Sequence, residues 1–330
     1  MKQVILRLFF VLGLCISSTI PAMGNPSNRV NLAVGIGAAD FLFQIAIDQH
    51  FFADHGLDVS LHTYKRGVEQ IRQGLVREGM DGANIPVLVA AVESFAHPGL
   101  FSVIAELGSI DASETIIVPA DRGITSPRDL AGKKIGVPKG GAAHYFLTTY
   151  LEKWNIPLED VTLVFMEKNK LPGAIQKGDI DAVCQHEPVM DKVRAALHGN
   201  FLEFKENTLA RKMPVLVMRN DFTKNHPELV EGVLRGIMDA WTFLREHQGA
   251  AEKIIVKRKH YSLKEVRHYL STVYRVHVAL SQSILVKMEQ GSLWAIRSGL
   301  VDANKAPNSL DLVDYSIMYK VRPDFVTIIH

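Results

Sequence analysis

The sequence predicts an α/β protein of two lobes, joined by two extended strands that leave a cleft between them. Three observations predict it. Strand and helix patterns alternate with short connections from Arg29 onward, the alternation starts afresh after Asp121, and two further apolar strand patterns, "SETIIVPAD" and "MPVLVMRND", flank that second unit. Alternating β and α elements imply a mainly parallel sheet covered on both faces. A second such unit, set between two crossing strands, implies a second sheet.

In chain order, the first 24 residues stand apart. Lys2 and Arg7 give a positive start, residues 4–16 are almost wholly apolar, and Ala22-Met23-Gly24 has the small–any–small pattern of a cleavage site. This is the pattern of a secretory signal peptide, and the apolar run is too short to span a membrane comfortably. "RVNLAVGIG" then reads as a strand ending in glycines. "DFLFQIAIDQHFFADHG" reads as an amphipathic helix stopped by Gly56, "DVSLHTY" as a strand, "VEQIRQGLVREG" as a helix, "MDGANIP" as a short strand and loop, and "FSVIAEL" as a strand.

The second unit repeats the scheme. "KKIGV" is a strand, a glycine turn follows, and "HYFLTTYLEKW" is a helix. "VTLVFM" is a strand, "KLPGAIQKG" a helix, "IDAVCQHEP" a strand and loop, and "VMDKVRAALHG" a helix. From His226 the chain reads as mostly helical, with Pro227 at a helix start, Ser262 and Glu265 spaced as a capping box, and further helices at 283–297 and 310–319. The domain organisation follows: a signal peptide at 1–24, lobe I from 28–113 with 214–330, and lobe II at 114–213.

Composition narrows the function. Loss of residues 1–24 removes Lys2 and Arg7 and no acidic residue, so 37 basic and 35 acidic residues become 35 of each. A neutral mature chain argues against a nucleic-acid partner, which needs a net or clustered positive field. Of the two cysteines only Cys184 remains after cleavage, in an apolar strand pattern that reads as a buried structural thiol. The 13 histidines are scattered without a metal-ligand spacing, so neither metal nor cofactor is expected. Export by a cleaved signal peptide predicts a periplasmic protein.

In open α/β sheets, small molecules bind beyond the carboxyl ends of strands, at helix N-termini. The loops at 35–40, 81–86, 139–144 and 185–188 should therefore face the cleft. The turn "VPKGGAAH" is the most suggestive. Lys139, Gly140, Gly141 and Ala142 lead into a helix with no Ser, Thr, Asp or Asn to cap it, and the exposed N–H groups of a helix start suit an anion. The same turn can equally be a plain strand-to-helix connection using glycine's backbone freedom.

The segments "FFADHGLDV", "DLAGKKIGVPKGGAAHYFLTTYLEKWNI", "AIQKGDIDAVCQHEP" and "VLVMRNDFTKNHPELV" occur in an order and spacing that resemble a known family. It is that of the ABC-transporter substrate-binding proteins for nitrate, sulfonate, bicarbonate and thiamine-pyrimidine precursors, which are type 2 periplasmic binding proteins. The resemblance covers essentially all of the mature chain. It implies a monomeric receptor that closes on a small polar or anionic solute and delivers it to an ABC permease in the membrane, without catalysis. Two alternatives stay open: an enzyme on the same scaffold, related to thiamine-pyrimidine synthesis, or a ligand-sensing subunit of a membrane receptor. Three departures stand out. Gly141 replaces a hydroxyl residue, His186 replaces an aromatic before the Glu-Pro pair, and "GIGAADFLF" carries Asp40 and two phenylalanines.

The candidate ligand contacts are Gly37, Asp40, Phe41, Asn84 and Ser113 from lobe I and the outgoing crossing, with Lys139, Gly140, Gly141, Ala142, His144, His186 and Glu187 from lobe II. Each has a structural reading beside it. Asp40 suits an N-cap, Phe41 a core position, Glu187 a helix start favoured by the dipole, and His144 a packing role on its own helix.

Overall fold

The computed structural model describes residues 28–259 and 261–329; the signal peptide expected at 1–24 lies outside them. Eleven strands form among the described residues: β1 (Arg29–Val34), β2 (Asp58–Thr63), β3 (Gly82–Pro86), β4 (Phe101–Ile110), β5 (Thr115–Pro119), β6 (Lys134–Val137), β7 (Thr162–Phe165), β8 (Ala182–Gln185), β9 (Phe201–Lys205), β10 (Pro214–Arg219) and β11 (Tyr274–Ala279). They make two sheets, ordered β11-β4-β10-β3-β1-β2 and β7-β6-β8-β5-β9. Each sheet carries its own helices, and the molecule has two lobes.

The sheets are mixed rather than mainly parallel. β1 pairs in parallel with β2 and β3, and β6 with β7 and β8. β10 runs antiparallel to β3 and β4, and β5 antiparallel to β8 and β9. The reason is connectivity: β5 and β10 are the strands by which the chain enters and leaves the second sheet, and neither is fed by a crossover helix. The passages themselves, at 111–114 and 206–213, are bonded together. Ile110 and Lys212 exchange both backbone hydrogen bonds (2.8 and 2.9 Å), and the Ala112 N–H donates to Asn207 O (2.9 Å).

Three local expectations change. The long first helix is broken: it spans Phe41–Asp48, then His50 takes a left-handed conformation (φ 62°) before a short turn at Phe51–Asp54. The helix "SLKEVRHYLSTVYRVH" expected from the capping box at Ser262 ends at His268, and the chain passes through a π turn and becomes β11. Its β-branched and aromatic residues suit a pleated edge, where Tyr274 is buried and its hydroxyl donates to Leu107 O (2.7 Å). The helix expected at 310–319 is instead a short 3₁₀ turn at Ser309–Leu312 and a helix at Ser316–Val321.

One continuous core underlies the first sheet, built around Leu32, Phe41, Ile45, Ile104, Leu216 and the buried stripe of the Pro227–Glu246 helix, including Val233 and Ile237. The second sheet separates two smaller cores. Phe146, Leu147 and Leu151 lie on one face, and Leu171, Ile175 and Ile180 on the other. Two-sided burial of a thin sheet is what near-continuous apolar strands such as "DAVCQ" require.

Candidate functional site

The strand ends and their loops from both lobes converge on two adjoining cavities, which share Pro86 and Lys212. The larger, ≈ 580 Å³, lies mainly on lobe I. The smaller, ≈ 200 Å³, is closed by the Val87–Ala96 helix on one side and the glycine turn of lobe II on the other.

The floor of the larger cavity is the turn at 35–40, where β1 runs into the Phe41–Asp48 helix. Asp40 is 1 % exposed, and its Oδ1 accepts from the Gly35 N–H (3.1 Å) and from Asn84 Nδ2 (2.9 Å). Asn84 also donates to Ala39 O (2.9 Å), while Gln70 Nε2 donates to Ala33 O and Asn84 O (3.0 and 2.7 Å). Gly37, Asp40, Asn84 and Ser113 therefore all line this cavity, as expected, and Asp40 and Asn84 also brace its floor. Phe41 does not reach it. That ring is fully buried and packs edge-on against Tyr261 (5.8 Å) and Tyr269 (6.4 Å), which do line the cavity.

The smaller cavity contains Gly140, Gly141 and Ala142, three more of the expected residues. Gly140 has φ +79°, a conformation costly for any residue with a Cβ. Gly141 is different: at φ −105° it is extended, a Cβ there would meet nothing within 4 Å, and it makes no side-chain cap for the Ala142–Lys153 helix. Backbone geometry does not demand glycine at 141. The open space beside it does give close access to the helix start.

His144 lies behind this turn. It is 1 % exposed, its Nδ1 accepts from the Gly140 N–H (3.3 Å), and its ring meets Phe165 and Trp294 edge-on (5.0 and 5.2 Å). Burial, reinforced by the Lys139 charge, lowers its pKa to about 4, so it is neutral near pH 7. Trp294 belongs to lobe I and also meets Tyr145 of lobe II (5.2 Å), so these rings join the lobes. Lys139 is exposed, with Nζ 5.6 Å from the centre of the Phe165 ring.

Neither His186 nor Glu187 lines either of these two cavities. Glu187 accepts from the Asp191 N–H (3.0 Å) and from Arg194 (2.6 Å), so its carboxylate serves the start of the Val189–Ala196 helix. His186 is half-buried, and its imidazole pKa is lowered, first by burial and then by the Lys212 charge. Lys212 pairs with Glu114 (2.9 Å) across the two passages between the lobes. Burial alone would raise the Glu114 pKa, but Lys212 outweighs it and holds the carboxyl below its ordinary value.

Sequence reasoning missed several cavity residues. Lys65 and Arg66 line the larger cavity, and their context, "TYKRG", is a strand followed by basic residues and glycine. It has the same form as "VPKGG" and could have been found by that likeness. Tyr261, His268 and Tyr269 come from the tail of the chain, while Lys287 projects from the middle of the Gln282–Arg297 helix into the smaller cavity. No local signal marks them.

Comparison with known proteins places this geometry. The taurine-binding periplasmic protein of Escherichia coli is 30% identical over 199 residues, which span 58% of this chain and 59% of that protein's length. The crystal structure of the periplasmic aliphatic sulphonate binding protein SsuA from Escherichia coli superposes with a TM-score of 0.67 at 14% identity, covering 87% of this chain and 97% of that one. The desulfurization enzyme DSZB shares the fold as well, with a TM-score of 0.60 at 15% identity over 90% of this chain and 99% of its own. The fold is thus that of the periplasmic binding proteins. The family model described as NMT1/THI5 like matches residues 41–251, well over half of the sequence, and the chain belongs to that family.

Proposed function

We propose that this chain is an extracytoplasmic solute-binding protein that captures a small anionic molecule of the sulfonate class between its lobes and delivers it to an ABC importer. The observation that carries the reading is the smaller cavity. There an uncapped helix start and its open glycine turn, from one lobe, face the cations of the other lobe and of the passage between them. Four N–H groups at a helix start lack intrahelical partners, and the dipole adds to their pull on an anion. The similarity to a taurine-binding protein supports the same class of solute.

The rest of the organisation is proposed with it. Residues 1–24 are removed on export to the periplasm. Residues 28–113 with 214–330 act as lobe I and 114–213 as lobe II, and the monomer closes about the passages at 111–114 and 206–213. A solute touching both lobes favours the closed state by its differential affinity. Although DSZB shows that the scaffold can host an enzyme, Cys184 gives no support for one here. It is fully buried, and burial pushes its thiol pKa well above the ordinary value.

The test is a thermal-shift and calorimetric screen of the mature protein against taurine, methanesulfonate, nitrate, bicarbonate and a thiamine-pyrimidine precursor, with small-angle scattering on any binder. A sulfonate should bind and compact the particle. Binding of the uncharged pyrimidine alone would assign the cleft to another solute class.

A further inference from the structure

Four charged residues line the smaller cavity: Glu93, Arg211, Lys212 and Lys287. Three are engaged in ion pairs, Arg211 sharing its Asp111 carboxylate with Arg275. Glu93 takes a bidentate pair from Arg72 (2.9 Å to each oxygen), Arg211 pairs with Asp111 (2.8 Å), and Lys212 pairs with Glu114 (2.9 Å). Lys287 makes no ion pair among the described residues. Glu106 influences it from a distance, but that carboxylate is engaged by His277 (3.1 Å) and by the Ser281 hydroxyl (3.0 Å).

Much of the rest of the cavity wall is apolar. Pro86, Val87, Val89 and Val92 wall the cavity from lobe I, and Tyr145 closes it from lobe II. A half-buried cation without a counter-ion is costly, and its pKa is lowered by that burial and by the Arg211 charge. The fold keeps it in place, opposite the open turn at Gly141. The volume is also informative. An apolar cavity of about 150 Å³ accepts benzene, so ≈ 200 Å³ accommodates one ring or a short branched alkyl group.

We infer that Lys287 is the charge anchor of a subsite in the smaller cavity, and that the solute is an organic anion with a ring or branched apolar body seated against Val87, Val89 and Val92. This rests on the anion-binding reading above and narrows it. It sets the preferred solute apart from inorganic anions and from short zwitterions, which leave the apolar wall uncovered.

The experiment is calorimetry of benzenesulfonate, methanesulfonate and the neutral benzenesulfonamide on the wild type, Lys287→Met, Lys287→Arg and Val89→Phe, with circular dichroism to confirm folding. Benzenesulfonate should bind the wild type at least about tenfold more tightly than methanesulfonate. Lys287→Met should weaken benzenesulfonate by roughly tenfold or more and leave benzenesulfonamide unchanged, with Lys287→Arg restoring most of the loss. Val89→Phe, which fills the wall without touching the charge, should bring benzenesulfonate down to the methanesulfonate level. If both sulfonates bind equally, or Lys287→Met binds benzenesulfonate as the wild type does, the inference falls while the anion-binding reading stands. If neither sulfonate binds, both fall together.

Discussion

The two glycine turns that face the cleft meet the same requirement in opposite ways. In lobe I, β1 turns into the Phe41–Asp48 helix, and the Asp40 carboxylate folds back onto the Gly35 N–H while holding Asn84. In lobe II, β6 turns into the Ala142–Lys153 helix, and Gly141 offers no side chain. The only side-chain acceptor in that turn is the His144 ring, which takes the Gly140 N–H. The first turn already contains a negative charge and is closed to an anion. The second keeps its donors open and has a neutral imidazole behind them. Two similar strand–turn–helix units therefore differ: one braces the cleft with its own carboxylate, and the other is the turn that the proposal above gives to the solute.

The largest expected effect breaks the braced turn. Asp40→Ala removes the buried oxygen that accepts from the Gly35 N–H and from the Asn84 amide, and should cost about 3 kcal/mol of stability by urea denaturation. Asp40→Asn should cost less, and a loss below about 1 kcal/mol for the alanine would show that Asp40 does not hold the turn.

The open turn should behave in reverse. At Gly141→Val the added Cβ meets no neighbouring atom within 4 Å, so the fold should be kept and the unfolding midpoint should stay close to the parent's. Its calorimetric affinity for an anionic solute should fall at least about tenfold, or roughly 1.4 kcal/mol. Undiminished affinity would make the turn a simple connection.

A pH-dependent effect comes from His144. Its folded-state pKa of about 4 lies below the ordinary 6.5, so the unfolded chain takes up the proton first. Stability should therefore fall as the pH drops from 6.5 toward 4, and recover as it rises. His144→Gln keeps an acceptor for Gly140 but removes that proton, and its denaturation midpoints should vary less across this window. The smallest change is expected of Lys139→Ala. The side chain is exposed, so anion affinity should fall only about two- to threefold, and the difference should vanish in high salt.

Much of this contrast was legible in the sequence, because both turns sit between strong strand and helix patterns and their polar residues are local. Asp40 and the "KGG" turn could be found from neighbours alone. Lys287 could not, since its helix gives it no reason to differ from any other lysine; only the packing of that helix beside Leu88 and Ala91 brings it to the cavity. β11 failed for a related reason. Its residues suit either a helix or an edge strand, and the choice was made by β4, whose Gly108 (φ +125°) leaves no room for a side chain beneath Tyr274 and Arg275. Glu187, expected as a contact, has a local partner that the sequence did not single out: Arg194, seven residues on.

The order of the strands also has a temporal consequence. All five strands of the second sheet lie between residues 115 and 205, without interruption. The first sheet has β10 at its centre, between β4 and β3, so its early strands stay divided until residues 214–219 exist. A chain that emerges from its amino end can therefore finish its middle before its beginning. β4 and the outer edge of β3 must wait, unpaired, for a segment made long after them. Loops that close over so many residues slow folding, and under the export proposed above that delay would keep the chain open while it crosses the membrane.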